Sequence, residues 1–218
     1  STPGTYAITK SSGKVITKTV KSIAETMEIK GAWRVKFPAD LGAPAEITMN
    51  RLSSWHLNDN KGVKYFSGTA TYEKNINVTA EMLSTEKIIY LDLGKVKNLA
   101  EVSINDSKSQ ILWKPPFRID VTQLLTKGQN KLEIKVTNLW PNRMIGDEFE
   151  PDDCQWNNPS GFSGIKKIPD WVIEAKPRPS RERYSFTTWK FFTQQSPLLE
   201  SGLLGPVTLR TSKLIEVE

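Results

Sequence analysis

One cysteine and one histidine occur in 218 residues. A single Cys154 rules out an internal disulfide and a cysteine-built metal centre. His56 stands alone, with no Ser/Asp or Cys partner pattern, so a catalytic triad has no support. No apolar run approaches the roughly 20 residues that cross a bilayer as a helix, and mean hydropathy is −0.43; no membrane insertion is expected. The opening residues, Ser1 to Tyr6, lack the basic head and apolar block of a signal peptide. They read as the start of a mature form or of a piece cut from something longer. Helical periodicity is missing too: no segment holds a 3.6-residue apolar repeat over the length of an ordinary helix.

Charge is present, with 30 Lys and Arg against 24 Asp and Glu, net +6. It is not organised for nucleic acid, which asks for a basic stripe with aromatic platforms. Lysines such as Lys14, Lys18, Lys21, Lys131 and Lys135 are spread along strand-like segments with acids among them. The basic run from Lys176 to Arg183 is short and proline-rich, and reads as a solvated loop. No nucleic-acid partner is expected.

What is there is alternation. From Lys131 to Thr137, Leu132, Ile134 and Val136 point one way and Lys131, Glu133, Lys135 and Thr137 the other, the period of a strand with one face in a core. Similar patterns run through residues 5–20 (a hairpin turning at Ser11-Ser12-Gly13), 26–37, 65–78, 87–93, 100–104, 110–113, 205–210 and 214–217. Short helical turns are expected near Leu52–Leu57, after Thr79 and over Asp120–Leu125. The fold class is therefore all-β, an antiparallel sandwich. One connection breaks the rhythm: about residues 141–202 show little period of either kind. This stretch carries Trp156, Trp171, Phe186, Trp189, Phe191 and Phe192. Disordered segments are poor in aromatics, so an ordered, packed insertion is expected.

The middle of the chain resembles a known pattern. Leu91-Asp92-Leu93-Gly94, then Ala100-Glu101-Val102-Ser103-Ile104-Asn105, then Pro116-Phe117-Arg118-Ile119-Asp120-Val121 and Gly128-Gln129-Asn130-Lys131-Leu132 look like the sugar-binding-type sandwich of glycoside hydrolase family 2. Three further phrases are similar to the C-terminal sandwich of family 106 α-L-rhamnosidases: Gly62 to Tyr72, Asn138 to Asp147, and Ser201 to Val207. The resemblance spans about residues 30–212, and it implies that residues 1–22 are a hairpin or linker from a preceding module and 23–218 the sandwich. It implies a galactose-binding-like jelly roll in a bacterial polysaccharide-degrading enzyme, periplasmic or extracellular. The catalytic carboxylates would sit on a separate barrel of the same parent chain, so this chain would be non-catalytic, with carbohydrate and that barrel as its partners. In family 2 enzymes the loop matching 138–147 reaches toward the catalytic pocket.

The candidate carbohydrate-binding residues are Asn138, Trp140, Asn142, Arg143 and Trp113. Sugars are held by a flat aromatic over their C–H face, with amide and guanidinium groups on their hydroxyls. The competing reading makes Trp140 a plug at the sandwich rim and Arg143 a tie for the insertion, leaving a purely structural domain. No cofactor is expected beyond a structural calcium ion, for which the hard-oxygen candidates are Asp147, Glu148, Asp152 and Asp153. The same acidic run could instead pair with Lys or Arg, or serve a self-contained hydrolase.

Overall fold

The structure is a computed structural model that describes residues 3–21, 26–83, 87–158 and 163–213. Two long strands form its spine: β6 (Thr69–Val78) and β12 (Gly128–Thr137), antiparallel over ten residues from Gly128 opposite Val78 to Thr137 opposite Thr69. Around them lie β4 (Trp33–Lys36), β5 (Glu46–Met49), β9 (Leu99–Ile104) and β10 (Gln110–Leu112). The six run in the order β10-β9-β12-β6-β4-β5. A second sheet takes β3 (Thr26–Glu28), β7 (Lys87–Asp92), β11 (Arg118–Asp120) and β14 (Thr208–Lys213), in the order β11-β7-β14-β3. β8 (Lys95–Lys97) pairs with β13 (Gly202–Gly205), and β1 (Gly4–Thr9) with β2 (Val15–Val20). All of these ladders are antiparallel, and the antiparallel sandwich expected from alternation, of the galactose-binding-like kind that the resemblance implied, is the observed one.

The alternation works as physics requires. Leu132, Ile134 and Val136 are fully buried, and Ala70, Tyr72, Ile76 and Val78 beside them on β6 face the same core. The second sheet answers with Ile89, Leu91 and Leu209. Each such side chain contributes about 1.5–3 kcal/mol on burial. On the outer face Lys135 approaches Glu101 at 3.7 Å, and Glu73 bonds Lys36 at 2.8 Å. One end of the core is aromatic: Phe37, Trp55, Phe66 and Tyr72 meet at centroid distances of 4.8–6.3 Å. Trp55 Nε1 donates to Tyr72 Oη at 2.6 Å, and the Leu203 amide donates to the same oxygen at 3.0 Å. Gly202, at φ +91°, lets β13 cross this cluster; a Cβ there would lie 2.6 Å from the Trp55 indole.

Several expectations are corrected. The segment after Trp140 is not a loop but α2 (Pro141–Asp147), with Pro141 at its first position, where the missing N–H costs nothing. Two four-residue helices, α1 (Lys61–Lys64) and α3 (Asp170–Ile173), also form. The strand expected over 205–210 is two, β13 and β14, parted at Pro206. β5, β8 and β11 were not anticipated; each is three or four residues long, too short to show a period. Thr79–Leu83 forms turns rather than a helix. The strand expected at Leu214–Val217 lies outside the described residues. The turn expected near Leu52–Leu57 is a 3-10 helix, Trp55–Leu57.

Candidate saccharide-binding cleft at the end of the six-stranded sheet

β12 delivers Asn138 to the sheet end, but the amide is already engaged. Its Oδ1 accepts from the Gly68 amide and its Nδ2 donates to the Phe66 carbonyl, both at 2.9 Å, fastening the approach to β6. Asn142, on α2, is likewise occupied: it bonds the backbone of Leu199 twice, each bond 2.8 Å long. Arg143 is 6% exposed. Its Nε lies 2.9 Å from Asp147 Oδ1 without hydrogen-bond alignment, so the contact is an ion pair. The guanidinium sits 5.0 Å from the Tyr184 ring and 6.0 Å from that of Tyr65. Three of the five expected sugar contacts are thus spent largely on the fold itself.

The two tryptophans differ from them. Trp140 is 53% exposed and Trp113 69%. Register places them at one end of the sheet: Leu112 lies opposite Ala100, and Ala100 opposite Val136. Trp113 follows Leu112 directly, so it stands two strands from the Thr137–Asn138 exit, on the order of 10 Å.

The acidic run is engaged throughout. Asp147 accepts from the amides of Tyr184 and Ser185 and from the Ser185 hydroxyl. Glu148 meets Lys190 at 3.1 Å, Asp152 meets Arg183 at 3.0 Å, and Asp153 pairs with Arg178. The basic loop is only partly the solvated run expected: Lys176, Arg181 and Glu182 are exposed, whereas Arg178 and Arg183 fold onto the acids, Arg183 also donating to the Pro151 carbonyl at 2.9 Å. Among the described residues no group of three or more His, Cys, Asp or Glu side chains is arranged to hold a metal. An ion on these carboxylates would have to displace their cationic partners, and an acid–nucleophile pair would have to leave them.

His56 Nδ1 lies 2.6 Å from Ser54 Oγ. Ser54 is buried, and its hydroxyl also bonds both the amide and the carbonyl of Ser201. The pair fastens the entry to β13 and presents no nucleophile.

Between Asn138 and the insertion's return at Leu198–Ser201 opens a cleft of about 430 Å³, within the range of small-molecule sites. Leu139, Leu198 and Leu199 supply apolar wall; Asn98, Asn138 and Asn142 also line it, the last two with their amides already bonded to backbone. Among the described residues the exposed Asn98 side chain makes no hydrogen bond. At the rim the single Glu200 carboxylate meets two ammonium groups, Lys95 at 2.5 Å and Lys97 at 4.0 Å. The Lys95 hydrogen bond holds the Glu200 carboxyl below the usual carboxylate range. An apolar wall and a free amide suit a polyhydroxylated ring. Asn98, Leu198, Leu199 and Glu200 were missed because they enter from β8 and from the far end of the insertion, with no shared local pattern.

Residues 47–172, more than half of the chain, match the family described as glycosyl hydrolase 2 galactose-binding domain-like. A protein of Formosa agariphila provisionally named a beta-glucuronidase is 46% identical over 207 residues, 95% of this chain and 17% of that one. A solved rhamnosidase from Novosphingobium sp. PP1Y is 35% identical with a TM-score of 0.66, covering 92% of this chain and 17% of that one. A beta-D-glucuronidase of Dictyoglomus thermophilum, 18% identical with a TM-score of 0.54 over 89% of this chain, shares the fold. The chain thus spans about one sixth of the first two relatives, each of which carries far more polypeptide than this sandwich. By this match, the chain belongs to the glycosyl hydrolase 2 galactose-binding domain-like family.

Proposed function

We propose that this chain is the non-catalytic accessory sandwich of a larger bacterial glycoside hydrolase of the α-L-rhamnosidase type, and that its cleft holds a neutral sugar residue of the polysaccharide. The observation that carries the reading is the cleft's apolar wall of Leu139, Leu198 and Leu199 beside the unbonded Asn98 amide, which suits the C–H face and hydroxyls of a sugar ring. The choice of a neutral sugar follows the solved rhamnosidase, 35% identical over 92% of this chain. A uronic acid would ask for a cation to meet its carboxylate, and of the two rim lysines Lys95 is held by Glu200 at 2.5 Å. Trp140 and Trp113 at the same sheet end would flank the bound chain with apolar faces. The parent's catalytic carboxylates would lie on a barrel outside this chain. The parent would act in the periplasm or outside the cell, where a polysaccharide too large to enter would be met.

Titrating the chain with methyl α-L-rhamnoside and with D-glucuronate, following tryptophan fluorescence, tests this. The expected result is saturable change with the neutral sugar alone, in the millimolar range typical of weak single-sugar contacts (on the order of −4 kcal/mol). Asn98→Ala should weaken it without altering the fold. Equal response to both sugars, or to neither, would sink the cleft assignment. A second reading, a purely structural domain, is favoured by the internal use of Asn138, Asn142 and Arg143. Silence in the titration together with normal folding would establish it.

A further inference from the structure

Among the described residues three buried side-chain atoms have no hydrogen-bond partner: Arg143 Nε, Trp156 Nε1 and Ser201 Oγ. Arg143 Nε is answered by Asp147 as an ion pair. Trp156 borders a hollow of about 20 Å³, room for a single water molecule. Ser201 stands apart, because it borders the cleft of about 430 Å³.

The backbone of Ser201 is engaged while its side chain is not. Its amide donates to Ser54 Oγ at 2.8 Å, and its carbonyl accepts from the Trp55 amide and from Ser54 Oγ, each at 3.1 Å. These bonds fix the residue at the floor of the cleft, 1% exposed. Buried hydroxyls are nearly always bonded, because an unpaired one gives up water and gains nothing. With no bond to hold its rotamer, this hydroxyl is free to turn about χ1 toward a group that enters the cleft. Across from it stands a second open group. Gly202 pairs with Lys97 and Leu203 with Val96, so one further step of the ladder sets Ser201 against Asn98. Opposite residues of an antiparallel pair lie about 5 Å apart, within the span of one sugar ring. The exposed Asn98 side chain, unbonded among the described residues, borders the same cleft.

We propose that Ser201 is a specificity-determining residue of the cleft: its hydroxyl and the Asn98 amide take two hydroxyls of one neutral sugar ring whose C–H face lies on Leu139, Leu198 and Leu199. The inference rests on the reading of the cleft as a saccharide site. The two groups do different work. Asn98 is open to water in the free chain, so a sugar hydroxyl there replaces a hydrogen bond that water already makes. Ser201 has no such bond to exchange, and its gain goes in full to a ring that carries a hydroxyl at the matching position. A ring that lacks it leaves a polar group unpaired at the floor, which is how a buried hydroxyl sorts ligands of equal size.

Methyl α-L-rhamnoside and its 2-, 3- and 4-deoxy derivatives, titrated into the 218-residue chain and its Ser201→Ala variant, test it. The amide resonances of Asn98, Ser201 and Gly202 give the readout. The wild-type chain should bind one derivative about three- to tenfold more weakly than the parent glycoside, the worth of one neutral hydrogen bond. Ser201→Ala should bind the parent more weakly by the same factor and no longer distinguish it from that derivative. Asn98→Ala should leave that distinction in place. The same ranking of the four ligands by wild type and Ser201→Ala overturns the inference, and so does a wild-type chain that binds all four alike. Without sugar, Ser201→Ala keeps every backbone bond and should melt no lower than wild type. A fall of about 2 °C or more would mean that the fold already uses the hydroxyl, and overturns the inference as well. No saturable response of the wild type to methyl α-L-rhamnoside sinks the saccharide reading of the cleft and this inference with it. Binding to which Ser201 contributes nothing sinks this inference alone.

Discussion

Asn142 and Leu199 grip one another across 57 residues of sequence: the Asn142 Nδ2 donates to the Leu199 carbonyl and the Leu199 amide donates to Asn142 Oδ1, each at 2.8 Å. A side-chain amide here mimics one rung of a β-ladder. It closes the long insertion at its two ends and sets the width of the cleft between them.

Replacing Asn142 by Ala removes both bonds and leaves a backbone donor and acceptor without partners. The expected loss is about 2–4 kcal/mol, measured by urea unfolding. The insertion should also become cleavable by protease before the sandwich unfolds. A loss below about 0.5 kcal/mol, the range of ordinary surface substitutions, would show that the grip is dispensable.

Asp147 is the second anchor, because it binds Arg143 and the backbone of Tyr184 and Ser185 together. Asp147→Leu strands a buried guanidinium, with an expected cost of about 3–5 kcal/mol. Combining it with Arg143→Met should cost less than the sum of the single changes, by about 1 kcal/mol or more. Strict additivity in that cycle would deny the coupling.

Tyr72 predicts a pH dependence. Its phenol is fully buried, and burial raises its pKa well above the ordinary 10.0, although its bonds to the Leu203 amide and Trp55 oppose the shift. The unfolded chain therefore loses this proton first as pH rises. The contribution is complete below about pH 10 and falls above it, with a slope of about 1.4 kcal/mol per pH unit. Tyr72→Phe should remove that slope. It should also lower stability at neutral pH, by about 1–3 kcal/mol for each of the Trp55 and Leu203 donors left unsatisfied.

Two glycines with similar φ separate steric crowding from backbone strain. Gly202→Ala places a Cβ 2.6 Å from the Trp55 indole and 2.7 Å from Tyr72 Oη, at φ +91°. Gly128→Ala meets nothing within 4 Å at φ +95°. The second should cost only the left-handed strain, roughly 1–2 kcal/mol. The first should cost more, about 3 kcal/mol beyond that, because both neighbours are fixed in the core. Thermal unfolding of the pair measures the difference.

The sequence carried the sandwich because burial of one strand face leaves a period of two in the residues themselves. Leu132, Ile134 and Val136, or Ala70, Tyr72, Ile76 and Val78, can be read in that way with no partner in view. The family-like phrases carried the jelly-roll topology. The short strands β5, β8 and β11 escaped because three or four residues hold too little pattern, and α2 escaped because seven residues behind a proline resemble a loop.

Local sequence determined which side chains gather near Trp140, and only the tertiary structure decided what they are free to do. Asn138, Asn142 and Arg143 looked like ligand groups, yet Asn138 is taken by Phe66 and Gly68, Asn142 by Leu199, and Arg143 by Asp147 one turn along its own helix, with Tyr65 and Tyr184 brought from elsewhere in the chain. Hydrogen-bonding capacity once satisfied inside the fold is no longer available to a sugar. The groups that remain open, Trp140, Trp113 and the Asn98 amide, converge on one sheet end because strand register, not proximity in sequence, places them there.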